Sequence, residues 1–128
     1  MKLITALVLS VSLTGCAAIQ EWIPSFWDDN QSAKIIDIRQ KAHNIDCTDV
    51  ITQKYWSSAL ARDIQWFELY SDSKGSAQKD VLRMIEPMKK TVAEWDGREN
   101  PSKAYCELKK KIIKVQADKA ANAVHWRF

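Results

Sequence analysis

Residues 50–70 read VITQKYWSSALARDIQWFELY, and the apolar spacing in this stretch decides the fold. Trp56, Leu60, Ile64 and Phe67 step by three and four, so at about 3.6 residues per turn they share one helix face. Ala59, Trp66 and Tyr70 widen that face. The two-residue alternation of a half-buried strand is missing, and neither glycine nor proline interrupts the run. The spacing predicts a helix over 50–70 that must bury one side, with Trp66 counted among its inward residues.

The same period recurs on either side. Asp28 or Asp29 can accept hydrogen bonds from free N–H groups at a helix start. Ile35, Ile38, Ala42 and Ile45 then line one face of a first helix, which Asp46-Cys47-Thr48-Asp49 ends while capping the next. Residues 71–76, SDSKGS, read as a loop. Leu82, Ile85, Met88, Val92 and Trp95 stripe a third helix over 77–95. Pro87 falls inside it, lacks an N–H and predicts a kink or a break. Gly97 reads as its C-cap. Asn100 as N-cap with Pro101 in the first turn opens a fourth helix reaching about residue 125. This last helix is apolar on two sides: Tyr105, Leu108, Ile112 and Val115 on one, Cys106, Ile113, Ala117, Ala120 and Val124 on the other. The expectation is an all-α fold, a small up-down-up-down bundle of three to four helices over 30–128.

Two cysteines fall inside this region, and they test the topology. Cys47 ends the first predicted helix and Cys106 lies near the start of the fourth. In an up-down-up-down bundle those ends meet at one pole on neighbouring helices, where a disulfide could close. Two buried free thiols are the alternative. No CxxC pair marks a zinc or redox site.

The chain begins Met1-Lys2, runs apolar from Leu3 to Val11, and then reads Leu13-Thr14-Gly15-Cys16. A basic start, a short apolar run and a small-residue cut site have the pattern of an export signal, too short for a stable span. Leu13-Thr14-Gly15-Cys16 resembles the lipobox of bacterial lipoprotein precursors at every position. That resemblance implies cleavage before Cys16, a thioether-linked diacylglycerol on Cys16 and acylation of the new amino terminus. It divides the chain into a signal peptide (1–15), a lipidated, membrane-proximal linker (16–29) and the helical domain. Three acyl chains hold a protein firmly, since each buried CH₂ contributes about 0.8 kcal/mol. Residue 17 is Ala, whereas Asp there retains enterobacterial lipoproteins at the inner membrane. The expected location is therefore the periplasmic face of the outer membrane. An exported chain meets oxidising conditions, which favour a Cys47–Cys106 bond.

Trp22, Ile23, Phe26 and Trp27 cluster just beyond the lipidated position. Tryptophan suits the headgroup zone because it joins an apolar body to a polar tip. These four side chains are candidates for an interfacial foot. Packing of Phe26 and Trp27 on the domain ahead of the first helix is the other reading.

Charge narrows the partners. Formal net charge is +3, close to balance, and builds no strong field for a polyanion. Nucleic acid is thereby disfavoured, and the expected partners are membrane lipid, through the anchor, and an outer-membrane or periplasmic protein. The densest basic group is Lys109, Lys110, Lys111 and Lys114. It reads either as a contact site for anionic headgroups or an acidic partner, or as a solvated helix face with Glu107 and Lys111 paired at i,i+4.

Catalytic signatures are missing from the sequence. His43 and His125 belong to no HExxH-type run, and Asp28-Asp29 suits a cap better than an acid–base pair. No phosphate-cradling glycine loop and no nucleophile elbow occurs. A non-catalytic interaction or accessory module is the reading, with no cofactor beyond the covalent lipid and no metal.

Ile23-Pro24-Ser25-Phe26-Trp27-Asp28-Asp29-Asn30-Gln31-Ser32, Ile38-Arg39-Gln40, Ile45-Asp46-Cys47, Leu69-Tyr70-Ser71 and Ala104-Tyr105-Cys106 together resemble small lipoproteins carried by tailed phages. That resemblance implies a role in host lysis, as a spanin-like subunit, or in exclusion of a second phage. The chain departs from both spanin patterns. Outer spanin subunits are shorter and proline-rich, and single-chain spanins need a C-terminal span, for which residues 117–128 are too short and polar.

Overall fold

The structure, a computed structural model, describes residues 28–75 and 78–125. Among these residues four helices occur: α1 (Asp29–His43), α2 (Val50–Ser73), α3 (Lys79–Asp96) and α4 (Lys103–His125). The all-α bundle expected from the periodicity is thus present. Each helix packs on two neighbours, in the cyclic order α1, α2, α3, α4 and back to α1. Short connections between consecutive helices make the four run alternately up and down. Residues 1–27, which include the proposed lipidation motif Leu13, Thr14, Gly15 and Cys16 and the interfacial candidates Trp22, Ile23, Phe26 and Trp27, lie outside the described residues.

Local chemistry sets the helix starts. The Asp28 carboxylate accepts from the Gln31 N–H at 2.9 Å, and Asp49 accepts from the Thr52 N–H at 2.7 Å. Each satisfies a backbone donor that has no partner within its helix. The fourth start differs from expectation. Ser102, not Asn100, caps α4: its hydroxyl accepts from the Tyr105 N–H at 3.1 Å, and its carbonyl from the Cys106 N–H at 3.0 Å. Pro101 is buried ahead of the helix rather than inside its first turn. Helix α1 ends at His43, so Ile45 reaches the core from the connection, while α2 continues three residues past Tyr70. Gly75 follows α2 with φ +96, a backbone state that favours glycine.

The stripes converge on one core. Ile35, Ile38, Leu60, Phe67, Ile85, Met88, Val92, Trp95 and Ile113 are sealed from solvent. Of the two apolar sides of α4, the core takes Cys106, Ile113, Ala117, Ala120, Ala121 and Val124. Leu108, Ile112 and Val115 face outward instead. Trp66 is a further correction. It is 41% exposed and stacks on Tyr70 at 4.9 Å, because it sits about 100° round the helix from Phe67, which holds the core position.

Helix α3 passes through Pro87 without a break. Pro87 lies on the exposed side, where water can hydrate the carbonyl it leaves without a donor, while Ile85, Met88 and Val92 pack continuously on the other side. A mid-helix proline still costs up to about 3 kcal/mol against alanine. Pro87→Ala is therefore expected to raise the unfolding free energy by roughly 1–3 kcal/mol, read as a higher urea midpoint. An unchanged or lowered midpoint would mean that the proline restrains the unfolded chain as much as it weakens the helix.

Candidate functional site

Polar contacts fasten the two ends of the bundle. At one end Gln31, fully buried, donates from Nε2 to Ser71 Oγ and to Gln78 Oε1, both at 2.9 Å. One amide thereby ties the start of α1 to the end of α2 and the approach to α3. Beside it Asp28 pairs with Lys74, and the Tyr70 hydroxyl donates to Asp28 at 3.2 Å. Asp28, the first described residue, lies at this end.

At the opposite end Cys47 and Cys106 are bonded through sulfur, with Cα atoms 5.7 Å apart. This places the two cysteines together as the topology required. Asp96 Oδ1 accepts from Ser57 at 2.8 Å and Ser58 at 3.0 Å, and the Lys54 ammonium meets the Asp96 carbonyl. A cation suits that position, where α3 leaves carbonyls without intrahelical partners. A groove of about 490 Å³ runs between α2 and α3 from Asp96 to the Glu68–Lys89 pair, floored by Ala61, Ile64 and Val92.

The basic cluster is divided by helix geometry. Lys109 turns toward α3, where Glu94 pairs with it at 2.6 Å and the Tyr105 ring lies beneath its ammonium at 5.3 Å. Its side chain is only 12% exposed, so Lys109 serves the α3–α4 seam and not an outside partner. Lys110, Lys111 and Lys114 turn elsewhere, and among the described residues none of them enters an ion pair. Lys110 lies near enough to Asp46 to favour its ionised form, which hydrogen bonds from Thr48 hold below the usual carboxylate range.

On the α1 side Asp118 accepts from Arg39 at 2.7 Å and contacts His43 at 2.8 Å. The His43 hydrogen bond, opposed by partial burial and aided by Arg39, lowers the Asp118 pKa from its ordinary 3.8. Asp28 is also lowered: burial works against ionisation, but Lys74, the Gln31 N–H and Tyr70 together outweigh it. A carboxylate with a depressed folded pKa adds stability above its unfolded pKa, and that stability is lost as pH falls through the folded value. The urea midpoint should therefore hold from pH 7 to about 5 and drop below about pH 4. Asp118→Asn should flatten that acid slope by no more than about 1 kcal/mol, because the ion pair is partly solvated. An unaltered slope in Asp118→Asn would remove this pair from the acid response.

Among the described residues no three His, Cys, Asp or Glu side chains converge as a metal site, and no helix is long and apolar enough to cross a membrane. Gln31 is the residue the sequence reading missed, since a polar side chain carries no periodic signal. The α4 face of Leu108, Ile112 and Val115 was visible as a stripe, but not as the stripe left outside. Comparison with protein families, with curated proteins and with solved structures finds no match to this chain.

Proposed function

We propose that this protein is a lipid-anchored envelope lipoprotein whose helical domain acts by contact with a partner rather than by catalysis. The observation that carries this reading is Leu13-Thr14-Gly15-Cys16 directly after the apolar run Leu3 to Val11. A thioether lipid on Cys16 would hold the chain on one leaflet. Two features support the reading. The bond between Cys47 and Cys106 suits an exported domain, because such bonds persist in oxidising compartments. Only eleven residues, 17–27, would separate a lipid on Cys16 from Asp28, so an anchored domain would stand with its Gln31 end toward the membrane and its disulfide end away from it. The periplasmic face of the outer membrane is the proposed location, given Ala17.

Fractionation of cells expressing the wild type and Cys16→Ser tests this. The wild type is expected in the membrane fraction after a high-salt wash, and the variant in the soluble fraction or retained as uncleaved precursor. Equal, mature membrane binding by both forms would dismiss Cys16 as the anchor.

A further inference from the structure

We propose that the outer face of α4 is a docking site for an acidic amphipathic helix on a partner protein. This deepens the contact role proposed above and rests on it, though the surface itself needs no lipid.

Leu108, Ile112 and Val115 are 55%, 37% and 53% exposed. Their spacing of four and three residues aligns them in one stripe about 10 Å long. A helix in a small bundle normally buries one apolar side and hydrates the other. Helix α4 already buries Cys106, Ile113, Ala117, Ala120 and Val124, so its second apolar stripe has no role within the bundle. Aliphatic knobs at this spacing suit an amphipathic helix that lays its own apolar face on them.

Charge selects among the possible occupants. Lys111 stands four residues before Val115, and Lys119 four residues after it, so both border the stripe. Neither is in an ion pair among the described residues, nor is Lys114 one turn away. Lys109 shows the contrast, since Glu94 already satisfies it. A second copy of this chain, packed stripe on stripe, would set the Lys111 side chains of the two copies near each other. A helix edged with Asp or Glu would instead pair with them and gain specificity from the match. A membrane surface is disfavoured by position. The stripe lies in the half of α4 nearest Cys106, remote from the Asp28 end, and the one aromatic ring on that side of α4, Tyr105, is half-buried against the core beneath Arg98 and Lys109.

The test is fluorescence anisotropy of a labelled synthetic helix, with leucine at i, i+4 and i+7 and glutamate flanking, titrated with the full chain in neutral detergent. Saturable binding is expected, weakened at least tenfold by Lys111→Glu/Lys119→Glu and abolished by Leu108→Ser/Ile112→Ser, with helical circular dichroism unchanged in both variants. The same peptide with lysine in place of glutamate should not bind. No binding of the acidic peptide, or equal binding of both peptides, overturns the proposal. So does a dimer in sedimentation that Leu108→Ser dissociates, or capture by phosphatidylglycerol vesicles that needs the same residues when the peptide fails. An unmodified Cys16 with peptide binding intact would remove the anchor and leave this surface standing, whereas a lipidated chain that ignores the peptide would do the reverse.

Discussion

Replacing Cys47 and Cys106 together by alanine is expected to lower the unfolding free energy by about 4 kcal/mol. The two residues are 59 positions apart, so their bond closes a loop spanning most of the described bundle. In the unfolded chain that crosslink removes many conformations, and in the chain-entropy treatment the gain grows with the logarithm of loop length. Both cysteines are buried, at 3% and 0% exposure, so the variant also loses packing at the α1–α4 pole. Small domains are stable by only about 5–15 kcal/mol, which makes this a large share. The expected readout is a urea midpoint lowered by more than 1 M, reproduced in the wild type by reductant. A shift corresponding to less than about 1 kcal/mol would mean that helix packing alone holds α1 against α4.

Phe67→Ala is expected to cost about 3–5 kcal/mol. Phe67 is fully buried on α2, which packs on both α1 and α3. Removing its ring loses transfer free energy and leaves a cavity that rigid neighbouring helices cannot fill. Trp66→Ala removes a larger ring one position earlier, yet should cost about 1 kcal/mol, since it forfeits a surface stack with Tyr70 and a Lys34 contact. Chemical denaturation of the two variants reads the contrast directly. The reverse order would place α2 a third of a turn away from the orientation described.

That contrast also marks where sequence reading stops. Most of the core stripe of each of the first three helices follows from spacing, because burial of one face repeats with the helix period, although in α3 Val81 rather than Leu82 holds the core position. Trp66 was read inward because an aromatic residue beside a stripe widens it in projection. Only packing decides that Phe67 fills the space and Trp66 stacks outside. Helix α4 posed the same difficulty twice over, with two apolar sides of similar strength. Cys106 lies on one of them, and its bond to Cys47 identifies the inner side. The Gln31 contacts reach Ser71 and Gln78, 40 and 47 positions away, and a tie of that range leaves no local pattern. The Asn100-Pro101 pair satisfied the rules for a helix start, but Ser102 satisfied them closer to the first buried residue of α4. Four adjacent-looking lysines, likewise, became one seam residue (Lys109), one exposed residue (Lys111) and two half-buried ones (Lys110 and Lys114) once each step along the helix turned them by about 100°.

The proposed anchor rests on Leu13-Thr14-Gly15-Cys16, which lie outside the described residues, and chemistry rather than packing tests it. Intact mass spectrometry of the chain purified from membranes is the most direct measurement. A mature chain beginning at Cys16, heavier than its amino-acid sequence by a diacylglycerol and one further acyl group, is the result predicted. A chain with an unmodified Cys16, recovered free of lipid from the soluble fraction, would contradict the lipoprotein reading.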